Sequence, residues 1–341
     1  MIQYKQKFER DDAMNHIKSI NGLMKYLREK HHMKIGGTND KRKLKNVGYY
    51  HGYKGYRYIK NPNNPNNKIN FNSFDELMAI IEFDNKVKAL LYPQVMFIET
   101  ALKSYALEVI IQKGKTESFS EIYANLMTDY KSYKEIKYKN AYKKRLDTFN
   151  RIQNTIANKY ANDNNIVSHY LKKDESIPIW AIFEIITLGE FGNLISTLNL
   201  QIRKEISKDI GLNIAFDSNG ILVQSIIFMI KELRNAIAHN NVVFDTRFKE
   251  RNTNKALHKV IENDTKIQKI SFNGITDYII LVSYILKKLD KNNNEIYRNI
   301  NDYLKYVKNL KSCISKQIYD QIIFTSDEQK INDFINFLRK K

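Results

Sequence analysis

The residues best suited to chemistry in this 341-residue chain lie in IIFMIKELRNAIAHNN, residues 226–241, which brings Arg234, Asn235 and His239 within one short stretch. A neutral imidazole, with an ordinary pKa of ~6.5, can accept the proton of a ribose 2′-hydroxyl, and an imidazolium can donate one to a leaving oxygen. A guanidinium offers a planar fork to phosphate oxygens as charge builds on them. An amide can orient either partner. Together these types suit RNA cleavage by attack of the 2′-hydroxyl on its own phosphate, a reaction that requires no metal. Asn235 and His239, four apart, share a helix face. Arg234 and His239, five apart, diverge by ~140° on an ideal helix, so they meet at one substrate only if the helix ends near His239 or a twofold copy supplies a second set. Asn240-Asn241 suits such an end, because Asn tolerates left-handed backbone. The bare spacing carries little weight, since Arg10 to His16 and Arg251 to His258 repeat it. Only the middle copy combines a strongly apolar helix before it with Asn directly after Arg; Arg251 is also followed by Asn but lacks such a helix. The competing reading is a capped, hydrogen-bonded helix end without catalytic duty.

The elements that must position these groups are helical. Ile226, Ile230, Leu233 and Ile237 form an apolar stripe that docks the helix carrying Arg234. Upstream, Asp11 to Lys30 has Met14, Ile17, Ile20, Met24 and Leu27 at spacings of three and four, which predicts an amphipathic helix. Five of twelve glycines fall between Gly36 and Gly55 and two of four prolines follow, so residues 33–72 are expected as loops with at most one hairpin. From Ser73 the period becomes helical: SFDE reads as a capping box, and a helix follows that Pro93 should interrupt or kink before a second segment, Val95 to Gln112. Further helices are expected at 119–134, 139–161, 178–199, 202–211, 219–239, 275–290, 294–312 and 327–339. The fold class is mainly α: a helical bundle with a small Tyr/Gly-rich loop or hairpin near the N-terminus. The expected divisions are 1–72, 73–250 and 251–341.

Several other features compete for function. Glu184 and Glu190 are six apart on different helix sides, unlike an acid/base pair. Glu184 sits in an apolar run, where a carboxylate wants a partner; it either orients Arg234 or lies at the surface. Gly189 and Gly192 are expected to permit a tight helical turn. Tyr49, Tyr50, Tyr53, Tyr56 and Tyr58 interleave with His51, Lys54 and Arg57, the mix that grips unpaired RNA, or else alternate tyrosines bury as a hairpin. Lys41, Arg42, Lys43 and Lys45 read as a phosphate-contacting or solvated loop. KEIKYKNAYKK, residues 134–144, with Arg145 next, is a second candidate RNA surface; Lys143, Lys144 and Arg145 are its most clustered cations.

Composition sets the partner class. The chain has 56 Lys+Arg against 37 Asp+Glu, a net charge of +19, which favours a polyanion such as RNA. Gly114-Lys115-Thr116 lacks the earlier glycine of a phosphate loop, since Val109 stands there. The seven histidines are scattered, and one cysteine, Cys313, excludes an internal disulfide framework. No metal site or cofactor is expected. The N-terminus lacks an apolar run and no apolar stretch reaches membrane-spanning length, so a cytoplasmic protein without membrane association is expected.

LRNAIAHNN resembles the Arg-x4–6-His signature of HEPN ribonucleases, in which the residue after Arg is commonly Asn. More of the chain resembles the Abi-like family of bacterial abortive-infection proteins, with its AbiD and AbiF group, AbiF-like being the closer fit. The likeness spans residues ~10–250 through the opening helix, GYYHGYKGYRY, SFDELMAIIEFDNKVKALLYPQVMFIETALKSY, IPIWAIFEIITLGEFGNLI and the Arg-Asn…His segment. The Tyr-rich block departs from the family pattern by extra Gly and Tyr, and nothing after Arg251 is matched. The resemblance implies a HEPN bundle that pairs into a homodimer, with Arg234, Asn235 and His239 of both copies lining one cleft. It also implies action on RNA in phage defence and association with a small structured non-coding RNA. HEPN toxins silenced by nucleotidylation carry Tyr two positions after the His; here that position is Asn241, which argues against such control. Two rival functions remain: a non-catalytic RNA-binding module, and a DNA-binding regulator using the Asp11 to Lys30 helix.

Overall fold

The run of apolar residues at helical period that begins at Phe74 folds as one uninterrupted helix, α4, Phe74–Gly114. Val87, Leu91, Val95, Ile98, Leu102 and Ala106 are all buried along it, and this row continues across Pro93 without a break. Pro93 lies on the exposed side, as does Ala89, whose carbonyl loses its helical donor but can be hydrated. The expected interruption therefore does not occur, because a proline costs least where its orphaned carbonyl meets water. The computed structural model describes residues 19–59, 68–128, 130–132, 134–250 and 253–339. Among these, β pairing is confined to isolated bridges, and no helix is long and apolar enough to cross a membrane.

The described residues form two compact units, divided at Phe83/Asp84, with Lys308–Gln321 returning to the first. In the first, α1 (Ile20–His31) starts from a Ser19 cap; the expected helix before Ile20 lies outside the described residues. Helix α2 (Gly37–Val47) follows, then a π-helical turn over Gly48–Lys54 and one further turn, α3 (Gly55–Arg57). The expected loop or hairpin across this stretch is thus helical. Gly48 (φ 72°) supplies the left-handed residue that closes α2, and at Gly52 a Cβ would come within 2.7 Å of the Val47 side chain, so only glycine lets the π turn wind this tightly. One antiparallel bridge, Tyr58 to Lys68, is the remnant of a hairpin. The capping box at Ser73 is half formed: Ser73 Oγ accepts from the Glu76 N–H, while Glu76 accepts from Asn72 (2.7 Å) and Ser315 (3.0 Å).

The second unit contains the rest of α4 and a succession of shorter helices: α5 (Phe119–Asn125), α6 (Glu135–Ala161), α7 (Asn165–Leu171), α8 (Ile179–Ile185), α9 (Leu188–Thr197), α10 (Leu200–Asp209) and α11 (Leu222–Ala238). The single helix expected over 178–199 is two, because Thr187 starts α9 with a full capping box: Thr187 and Glu190 cap each other's backbone N–H groups. Glu190 is therefore a structural residue, held also by the Thr155 hydroxyl. Gly192 makes no turn. A Cβ there would come within 3.0 Å of Ile227 and 3.1 Å of Phe228, so its role is to let α9 lie close on α11.

After α11 come α12 (Lys255–Thr265), α13 (Ile275–Lys288), α14 (Asn293–Cys313), α15 (Lys316–Ile322) and α16 (Asp327–Arg339). Helix α13 is buried over every residue from Ile275 to Leu286 and is the core helix of this part. Several of its polar groups are bonded to neighbouring helices: Lys330 Nζ lies 2.6 Å from Asp277, and Thr276 bonds Asp327 and Tyr303 at 2.7 Å each.

Candidate catalytic site and basic surfaces

Helix α11 is built to hold its C-terminal end in place. Asp217, fully buried, accepts hydrogen bonds from the N–H groups of Ile221 (2.6 Å) and Leu222 (3.2 Å), supplying at the start of the helix the acceptor that its cap residue lacks. Ile226, Ile230, Leu233 and Ile237 are all buried, as the stripe predicted. Each such side chain contributes roughly 1.5–3 kcal/mol to docking the helix. The helix stops at Ala238, with His239 as its cap. Asn240 turns left-handed (φ 52°), and the N–H groups of Asn240 and Asn241 bond the carbonyls of Ile237 (3.0 Å) and Ala236 (2.8 Å). This pair of bonds is a Schellman closure, and it is the helix end that the Asn-Asn pair predicts.

The turn is stitched to α4 by a buried charge pair. Lys88 Nζ lies 2.8 Å from Asp84 and donates to Asn240 Oδ1 at 2.9 Å. Asp84 in turn accepts from the N–H groups of Val243 (2.9 Å) and Phe244 (2.8 Å). A buried carboxylate survives only with such a set of donors. The chain leaving His239 is thereby fixed on both sides.

At the helix end itself, His239 is exposed and Asn235 half-buried, while the Arg234 side chain keeps 35% of its surface. Arg234 donates to Asn235 Oδ1 (3.2 Å), and its Nε lies 3.5 Å from Glu99 on α4. Glu99 is shared with Lys103 at 3.5 Å, which also donates to the Ile186 carbonyl that ends α8. Two cations against one carboxylate leave an excess positive charge beside Arg234, the sign a phosphate requires. Glu184 plays no part in this: it is exposed, and the acid beside Arg234 is Glu99. The reason is phase, since α8 turns Ala181, Ile182 and Ile185 inward and Glu184 out. Glu99 and Lys103 were missed by sequence reasoning. Their signal was an i, i+4 acid–base pair set in an otherwise apolar helix; that of Asp84 and Lys88 was the same.

The candidate RNA-contacting residues divide sharply. Lys41, Arg42 and Lys45 are exposed on α2 rather than in a loop, and Lys43 pairs with Asp75 at 3.1 Å. Tyr53 and Tyr56 are buried. Lys54 lies over the rings of Tyr49 and Tyr50 at 5.6 and 5.3 Å, and Arg57 over Tyr53 at 5.7 Å, so these cations cover the protein's own aromatics. Tyr50 alone of the five is exposed, at 60%. On α6, Lys143 is exposed, but Arg145 donates to the carbonyls of Tyr123 (2.8 Å) and Thr128 (3.3 Å). Lys144 extends an exposed stem to the Ser196 carbonyl at the end of α9 (2.9 Å). Burial of its ammonium, with Arg203 nearby, holds the Lys144 pKa below the usual lysine range.

No curated protein and no solved structure matches the chain significantly. A family model does: the Abi-like protein family matches residues 42–245, from α2 through the closure that follows His239. That span is more than half of the chain and carries both the Tyr-rich block and the Arg234–His239 helix end, and on this match the chain belongs to the Abi-like protein family, whose name points to abortive-infection defence.

Proposed function

We propose that the protein is a metal-independent endoribonuclease of the HEPN type, dimeric, acting in antiphage defence and associated with or regulated by a structured RNA. The observation that carries the reading is the end of α11, where Arg234 and His239 keep access to solvent on a helix terminus otherwise fixed by buried bonds. In this reading the Arg234 guanidinium holds the scissile phosphate while His239 takes the 2′-hydroxyl proton. The 2′-oxygen bonds to phosphorus, the bond to the 5′-oxygen breaks, and that oxygen leaves with a proton from an imidazolium, which the twofold copy of His239 supplies. The products are a 2′,3′-cyclic phosphate and a 5′-hydroxyl. Asn235 positions Arg234, and Glu99 aligns it.

The test is cleavage and binding measured side by side. A His239→Ala variant should cleave about 10²–10⁴-fold more slowly while binding RNA as before, with chelators leaving wild-type cleavage unchanged. A solution mass near that of one 40.3 kDa chain at micromolar concentration counts against the shared cleft. The alternative, a binding module without catalysis, draws on the ion pair that already engages Arg234. It wins if the wild type binds RNA and cleaves none of it.

A further inference from the structure

Outside the site just described, the strongest unused feature is the start of α6. The segment 131–146 carries seven basic residues against Glu135 alone. Beside it stand three tyrosines in mutual contact. Tyr130 lies 5.3 Å from Tyr138 and 4.6 Å from Tyr142, ring centre to ring centre, and Tyr138 and Tyr142 are 6.5 Å apart. Tyr138 and Tyr142 keep 39% and 40% of their surface exposed, and Ile136 71%. Arg145 fixes the group from beneath: its guanidinium lies 4.9 Å from the Tyr123 ring and 5.2 Å from the Tyr130 ring while it bonds two backbone carbonyls. Lys137, Lys139 and Lys143, all exposed, flank the rings.

We propose that this face is a stacking platform for unpaired bases of an RNA strand, with the Tyr138 and Tyr142 rings taking the bases and Lys137, Lys139 and Lys143 the phosphates. Stacking is tolerant of sequence because every base has a π-face, and the lysines set the sign of the partner. A second copy of the chain is disfavoured as occupant, since two such faces bring like charges together. A duplex is disfavoured because its bases are already stacked and paired. The proposal rests on RNA being the partner but not on cleavage.

The experiment uses the full chain carrying His239→Ala, so that the probe is not cut, and a short fluorescein-labelled single-stranded RNA read by anisotropy. Adding Tyr138→Ala with Tyr142→Ala should weaken binding about 10-fold or more, and the paired Phe substitutions, which keep the rings, should restore it. Unlabelled duplex DNA should displace the probe poorly. Equal affinity for the Ala pair and its parent overturns the platform, as does displacement by duplex DNA as effective as by RNA, or a parent that binds no RNA. Loss of His239-dependent cleavage in a separate wild-type assay bears only on the nuclease. The platform can thus fail with the nuclease intact, or stand without it.

Discussion

The Tyr-rich segment 49–58 and the start of α6 are written in nearly the same alphabet, tyrosines interleaved with lysine and arginine, yet the two fold to opposite ends. In the first, Tyr53 and Tyr56 go into the core and the cations lie on the protein's own rings. In the second, Tyr138 and Tyr142 face out and the lysines beside them remain exposed. Composition does not separate these outcomes; helical phase does. Tyr49 and Tyr53 stack across one turn toward His31 and Tyr26 on α1, whereas Tyr138 and Tyr142 are i, i+4 on a side of α6 where, among the described residues, the ring contacts come from Tyr130 and both rings stay partly exposed. A cluster of aromatic and basic residues thus becomes a core or a surface according to which side of its helix has a neighbour.

The contrast is broken most strongly from its inward side. Tyr56→Ala should destabilise the first unit by about 3–5 kcal/mol, the cost of truncating a buried aromatic, whereas Tyr142→Ala should cost only about 0.5–1.5 kcal/mol, the loss of its ring contact with Tyr130. Denaturant titration of both variants decides it, and equal losses refute the inward/outward division. A middle case is Arg145→Ala, which removes two hydrogen bonds to carbonyls and the support beneath Tyr130. It should cost about 1–3 kcal/mol and weaken RNA binding only through the misplaced ring. An Arg145 variant of unchanged Tm would mean that the platform does not depend on that brace.

The smallest effect sets the pH at which the two regions should be compared. Burial pushes the His258 imidazole below its ordinary range, against the opposing pull of the Ile270 backbone, Glu262 and Asp277. The unfolded chain therefore takes up this proton at higher pH than the folded one, near ~6.5, and stability falls as pH drops through and below that value. Thermal unfolding across that window should show a steeper loss in wild type than in His258→Gln; parallel curves would remove His258 as the cause.

How much of this was legible beforehand follows the same physics. The α11 stripe and its Asn-Asn end could be read because both are local: a period of 3.6 and a residue that accepts positive φ. Only the local partners of Asp84 and Glu99, Lys88 and Lys103, were legible as i, i+4 pairs; the others, Val243, Phe244 and Arg234, are remote in sequence. The Tyr-rich helix was misread because five nearby glycines normally mark turns, whereas here Gly52 is needed for the close winding of a π turn. Glu184 was left between orienting Arg234 and lying at the surface because a carboxylate in an apolar run has two possible phases, and the structure shows the exposed one.

The carboxylate of Asp84 has one more implication, for the order in which the molecule is made. Its backbone donors belong to residues translated about 160 positions later, so over that stretch of synthesis a growing chain has Lys88 of the same helix for this charge but not the two N–H groups. The corner that holds His239 thus matures late, and a polypeptide halted before Val243 lacks the fastening that gives the imidazole its address.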